Sequence, residues 1–301
     1  MSHITVLETE AVSSLALKSG AVVVDATLGS GGHALAVLAE LDVDGVFIGI
    51  DRDPTAIATF RKSVAKIDVA ARVILVEANF TELPSVLETH QIKAADAILA
   101  DLGWRMEQFD GSSGSPRGFS FQLDEPLLMT YGNPASYPFT ATDIINDWHE
   151  EDIANIIYAY GEERQARRIA KFIVEARTKQ SIDTAHSLAN IIDEAIPKRF
   201  QQKRIHPATK TFQALRIAVN DELETLLRFI ESVPECLQIG GRCSIITFHS
   251  IEDRVVKHSF RSLAHDHVVS IINKKPIIAS AEEREQNPRS RSAKLRTIEK
   301  I

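Results

Sequence analysis

"GAVVVDATLGSGGHALAVLAEL", residues 20–41, sets the fold. "VVVD" is a short β-branched run that stops on a carboxylate, Asp25. Apolar residues resume at helical spacing after His33. Between the two runs lie Gly29, Gly31 and Gly32. Glycine is required where a backbone turns through positive φ or must approach another group closely. The stretch therefore predicts a buried strand, a tight turn and a helix whose first N–H groups face out of the turn.

The pattern repeats outward. "GVFIGIDRD" (45–53) predicts a second buried strand, followed by a helix opened by Pro54. "ARVILVEANF" (71–80) predicts a third strand, "TELPSVLETHQI" (81–92) a helix and "ADAILADLG" (95–103) a fourth strand. Strands alternating with helices at this spacing predict an α/β domain with a doubly wound parallel sheet. The alternation stops at the loop "GSSGSPRGFSF" (111–121). Helical periodicity then takes over, with apolar positions at Ile153, Ile156, Ile157, Tyr160, Ile169, Phe172, Ile173 and Ala176. A further helix, "TAHSLANIIDEAI", stops at Pro197. The α/β pattern resumes after "TKTFQALRIAVNDELETLLRFIESV" (209–233), with "GGRCSIITFHS" a strand, "IEDRVVKHSFRSL" a helix and "HVVSIINKK" a last strand. The expected organisation is one α/β domain, 1–110 plus 210–301, interrupted by an all-helical domain, 111–209, that serves substrate recognition.

Composition bounds the class. At 44% hydrophobic and 25% charged, the 301 residues read as globular. No apolar run approaches the roughly 18 residues of a membrane span, and "MSHITVLETE" lacks the features of a signal peptide. Cys236 and Cys243 form no CxxC pair, which fits a reducing, cytoplasmic setting. The net charge of −7 is unevenly spread. Residues 1–110 hold 16 Asp/Glu and 8 Lys/Arg, and the remainder holds 25 and 26. Residues 197–216 carry six Lys/Arg and no acid, and 287–296 carry four and no acid. Concentrated cations suit phosphate, so Lys203, Arg204, His206 and Lys210 are candidate nucleic-acid contacts. No metal is expected, because His265-Asp266-His267 is an isolated cluster and no HExxH or Cys/His set stands at zinc spacing.

Gly29-x-Gly31-x-x-Ala34 fits the loose G-x-G-x-x-G/A turn, and Asp51 follows Gly31 by 20 residues at the end of the second strand. A carboxylate there can accept from both hydroxyls of a ribose. Two cofactors compete for such a site, a nicotinamide dinucleotide and S-adenosylmethionine. Asp25-x-Thr27-x-Gly29 favours the second, since Asp25 can serve an amino-acid end and would repel a pyrophosphate. Asn79-Phe80 offers adenine a hydrogen bond and an apolar face. Asp101 ends the fourth strand where a methyl acceptor would sit, and is the candidate catalytic residue. Trp104 and Arg105 follow as planes able to receive an unstacked base, and His249 ends another strand on the same sheet edge. Methylation at a ring carbon would need a cysteine nucleophile. Neither cysteine lies in a Pro-Cys context, so amino methylation fits better.

"HITVL", "DATLGSGGHA", "GIDRDPTAI", "RGFSF", "YGEERQARRIAKFIVEAR", "KRIHPATKTFQALRIAVNDEL", "GGRCSIITFHSIEDRVVK" and "NPRSRSAKLR" run in this order along almost the whole chain. In them the chain resembles the bacterial 16S rRNA cytosine-N4 methyltransferases, the MraW/RsmH family. The resemblance implies a class I, Rossmann-like methyltransferase fold with a helical insertion, and S-adenosylmethionine as donor. It implies a cytidine of 16S rRNA in the small ribosomal subunit as acceptor, at the decoding centre near the P site. It implies a cytoplasmic and often homodimeric enzyme, with cofactor contacts at Gly31, Gly32, His33, Asp51, Phe80, Asp101 and Gln108. The family's Ser-Ser-Pro before that glutamine is Arg-Met-Glu here, in "DLGWRMEQFD". A catalytically altered RNA-binding assembly factor and an NAD-dependent oxidoreductase remain as alternatives.

Overall fold

The structure is a computed structural model and describes residues 4–102, 116–201 and 206–301. The chain divides into two compact units, Met1–Trp104 with Leu223–Ile301, and Arg105–Glu222.

In the first unit the apolar runs form strands. They are β1 (Val22–Asp25), β2 (Val46–Asp51), β3 (Arg72–Glu77), β4 (Ala95–Asp101), β5 (Leu237–Thr247), β6 (Val269–Ile271) and β7 (Lys294–Lys300). They make one sheet in the order β3-β2-β1-β4-β5-β7-β6. The first five run parallel, and β7 is antiparallel to both its neighbours. This is a Rossmann-like sheet with β1 at the point where strand order reverses, the place where open α/β sheets bind ligands. Successive side chains of a strand point to opposite faces. Val24, Ile48 and Ile98 accordingly join one core with Phe229, Ile230 and Phe260, while Val23, Phe47 and Leu99 join the other with Leu15, Val37 and Phe60.

Helices α1 (Glu8–Leu15), α2 (Gly32–Glu40), α3 (Pro54–Val64) and α4 (Leu83–Thr89) belong to this unit. The start of α3 is fixed locally, by Pro54 in its first turn and by Asp53, which accepts from Thr55 N at 2.8 Å.

The second unit contains α5 (Ala141–Asp147), α6 (Glu150–Gly161), α7 (Ala166–Arg177), α8 (Ala185–Ala195) and α9 (Thr209–Asn220). It has its own core, in which Ile153, Ile157, Ile169 and Ile173 are buried as the periodicity predicts. Ile156, Phe172 and Ala176 pack against that core, and Tyr160 is half-buried. Gly161 lets α6 approach α9 closely, since an added Cβ would stand 2.6 Å from the Lys210 carbonyl oxygen. After α9 the chain returns through α10 (Glu222–Cys236), and α11 (Ser250–His265) and α12 (Ala281–Gln286) complete the first unit.

Three sequence expectations need correction. The boundary at 209/210 falls too early, because Phe212, Leu215 and Val219 of α9 are core residues of the helical unit. The helical run 209–233 is broken at Asp221, which adopts φ 49°. The expected last strand shrinks to β6, and a further strand, β7, lies in what reads as a basic tail. Among the described residues no helix is long and apolar enough to cross a membrane.

Candidate functional site

The carboxyl ends of β1, β2 and β4 meet at the glycine turn. Ala26 N donates to Leu99 O at 2.8 Å and Leu28 N to Ile50 O at 2.9 Å, so the turn is laced between the neighbouring strands. Asp51 receives Gly29 N on Oδ2 and Asp53 N on Oδ1, each at 2.8 Å, which fixes the plane of its carboxylate. Asp101 N donates to Thr27 Oγ1 at 2.6 Å, tying the end of β4 to the turn. Gly31 has φ 82°, and a side chain there would overlap the Phe60 ring. A Cβ on Gly32 would overlap Thr5. Both glycines thus let other parts of the unit close up beneath the turn.

Charge at the crevice is unusual. Asp25 is buried, and burial pushes its carboxyl up to about 7. The nearby His33 and a bond from Thr27 N, at 3.1 Å, pull it down, while the charges of Asp101 and Asp51 push it further up. His33 is buried too, with Nε2 2.9 Å from Val6 O and Nδ1 3.5 Å from Asp101 Oδ2. Three carboxylates and one imidazole around a glycine turn fit a nucleoside ligand that carries positive charge. They do not fit a pyrophosphate, whose negative charge the part-exposed Asp51 and Asp101 would repel.

Residues 1–301 match the model of the MraW methylase family. The chain belongs to that family. It is 45% identical to the Ribosomal RNA small subunit methyltransferase H of Synechocystis sp., over 99% of this chain and 93% of that one. It is 44% identical to the protein of that name from Geotalea uraniireducens, over 99% and 98%, and 41% identical to the one from Clostridioides difficile, over 99% of each. This MraW-family chain is therefore a methyltransferase.

The remaining candidates separate into those tied into the fold and those on its surface. Phe80 packs against Phe229 at right angles, with centroids 5.0 Å apart. Asn79 Oδ1 accepts from Thr81 N at 3.1 Å in a capping box, so that oxygen is engaged in the turn after β3. His249 caps α11, with Nδ1 accepting from Glu252 N at 3.3 Å and Nε2 3.1 Å from Glu252 Oε1. Lys210 donates to Glu162 O at 3.1 Å, closing the end of α6. His206 is exposed and stacks on Phe121 at 4.4 Å. Trp104, Arg105, Gln108, Lys203 and Arg204 lie outside the described residues. In the basic tail Arg289 and Arg291 are exposed, whereas Lys294 and Arg296 bind Asp253 at 2.9 and 2.7 Å. Sequence reading missed Thr5, Val6 and Phe60 as supports of the turn. The one signal for the first two was "HITVL", noted without a role.

Proposed function

We propose that this methyltransferase, with S-adenosylmethionine as its donor, methylates the N4 amino group of a cytidine in 16S rRNA of the small ribosomal subunit, at the decoding centre. The observation that carries the reading is the meeting of Asp25, Asp51 and Asp101 at one glycine turn. It occurs in a chain that aligns end to end with relatives named as small-subunit rRNA methyltransferases. When bound, S-adenosylmethionine supplies an electrophilic methyl group on a sulfonium.

The protein's own task is placement. In this reading Gly29, Gly31, Gly32 and His33 form the wall of the cofactor site, Asp51 holds the ribose and Phe80 the adenine. Asp25 serves the amino-acid end, and the family resemblance adds Gln108 as a further cofactor contact. Asp101 is set at the acceptor side. The cytosine amino nitrogen is a weak nucleophile, because its lone pair is delocalised into the ring. A fixed carboxylate accepting from that amino group favours a pyramidal nitrogen and stabilises the positive charge that develops on it. Holding the reacting atoms in line supplies much of the rate.

RNA recognition is assigned to the helical unit together with Trp104, Arg105, Lys203, Arg204, His206, Lys210 and His249. Arg164, Arg167 and Lys171 are exposed, and Arg199 lies over the exposed ring of Phe200 at 4.8 Å. Cations beside exposed planar rings suit a splayed single strand.

The test is labelled-methyl transfer to small subunits from cells that lack this activity, followed by mapping of the modified nucleotide. One N4-methylcytidine in the decoding region is expected. Binding of subunits without incorporation would instead favour an assembly factor that has lost catalysis. Asp101→Ala is expected to lower transfer by about 100-fold or more, with the thermal midpoint little changed.

A further inference from the structure

The basic tract "NPRSRSAKLR" (287–296) has no role in the reading above. Its cations divide into two pairs. Lys294 and Arg296 are tied to Asp253. Arg289 and Arg291 are exposed, and among the described residues no ion pair engages either. The residues around them fix the backbone. Asn287 and Ser290 are buried, and Ser290 N and Oγ both donate to Asn287 O, at 3.0 and 2.9 Å. Ala293 N donates to Ser290 O at 3.1 Å. A second turn is fastened along β7. Ile277 and Leu295 exchange both backbone bonds at 2.9 Å, and Asn273 donates to Leu295 O at 3.0 Å while accepting from Thr297 N at 2.7 Å. This turn exposes Lys274 and Lys275, again with no ion pair among the described residues.

The sheet register gives the position of both turns. Asp101 of β4 is level with Ile246 of β5, and Ile246 with Leu295 of β7. Neighbouring strands stand about 4.8 Å apart, so the head of β7 is about 10 Å from Asp101. β7 runs against β5, and its first residue, Lys294 opposite Thr247, lies at the carboxyl edge that also holds the glycine turn. Residues 272–296 carry seven Lys/Arg and three Asp/Glu. Those acids are Glu282, Glu283 and Glu285 of α12, and Glu283 is engaged by Leu7 N. The part-exposed Asp51 and Asp101 repel the backbone of any RNA whose base is to reach Asp101. Cations on one flank hold that backbone and leave the crevice to a cationic cofactor. Arginine grips phosphate through two parallel N–H bonds.

We propose that Arg289, Arg291, Lys274 and Lys275 form a phosphate-binding strip on the methyltransferase unit, which holds the RNA backbone flanking the target nucleotide on the β7 side of Asp101. A strip of phosphate contacts positions the RNA and does not select its sequence. The inference rests on the reading that the substrate is RNA and that its acceptor base meets Asp101.

The experiment compares wild type with Arg289→Gln/Arg291→Gln and with a quadruple variant that adds Lys274→Gln and Lys275→Gln. The probe is a fluorescent single-stranded RNA oligonucleotide of mixed sequence, titrated at several salt concentrations. Lys18→Gln/Lys93→Gln is the control, since both lysines are exposed ahead of β1 and β4, at the opposite edge of the sheet. Each lost phosphate contact is expected to lower the steepness of log affinity against log salt by about 0.7. The double variant is expected to bind about ten-fold more weakly or worse, and the quadruple variant more weakly still. Methylation of small subunits is expected to suffer in KM, with S-adenosylmethionine affinity by calorimetry unchanged. Affinity and salt slope like those of wild type overturn the proposal. An equal loss in the control overturns it too, since net charge alone would then be at work. A parallel loss of cofactor affinity makes the segment structural and has the same result. Weaker binding of subunits with unchanged binding of the oligonucleotide puts a ribosomal protein on the strip, against the proposal. If wild type binds the oligonucleotide but methylates no subunit, the rRNA reading fails and the salt slopes still decide the strip. Wild type that binds no RNA overturns both.

Discussion

Asp25 is a carboxyl group that the fold makes expensive to ionise. Its folded value, near 7, stands above the ordinary 3.8, so between those values the folded chain binds a proton that the unfolded chain does not. Stability is fully retained below the unfolded value and falls as pH rises through the folded one, by about 1.4 kcal/mol per pH unit at most. Asp25→Asn is therefore expected to be more stable than wild type by a margin that widens from pH 5 to pH 7 and then levels. Urea unfolding across pH reads this directly, and parallel profiles for the two proteins would show that Asp25 carries no such penalty. Gly31 gives a second prediction. Gly31→Ala forces a side chain into left-handed backbone and onto Phe60, so a loss of about 1–3 kcal/mol is expected in the same assay. Asp25, Asp51 and Asp101 are legible in sequence because each ends an apolar run. The groups that pack beneath the turn are not. Thr5, Val6 and Phe60 reach the turn from distant positions, and no local pattern announces such a contact.

Among the elements, the parallel strands and their helices could be read because each buries a continuous apolar run. Strand β7 could not, because "KLRTIEK" alternates charge with apolar residues and reads as a basic tail. The structure shows where those charges go. Arg296 and Lys294 both bind Asp253, at the start of α11. Burial works to raise the Asp253 carboxyl, but the bonds and charges of Arg296 and Lys294 outweigh it and hold the group below its ordinary value. This contribution is present at neutral pH and is lost as pH falls through the folded value. Asp253→Asn is expected to cost about 3 kcal/mol at pH 7, since it leaves Arg296 buried without its charge partner. The cost shrinks in acid, and a pH-independent difference would argue against the ion pair. The break at Asp221 was likewise illegible, since neither glycine nor proline marks it.

For the whole molecule, the two units have separate cores, with no residue shared between them among the described residues. Residues 105–222 expressed alone are therefore expected to unfold in one cooperative thermal transition. A gradual, featureless melt would mean that the helical unit depends on the rest of the chain. The sheet order has a consequence for synthesis. β6 pairs only with β7, and β5 borders β7, yet β7 is the last of the seven strands to be made. The first helix is linked to the same strand pair, since Ser14 meets Ser244, which in turn meets Thr297. A nascent chain thus carries an open sheet edge at β5 until β7 has been made and can pair with it.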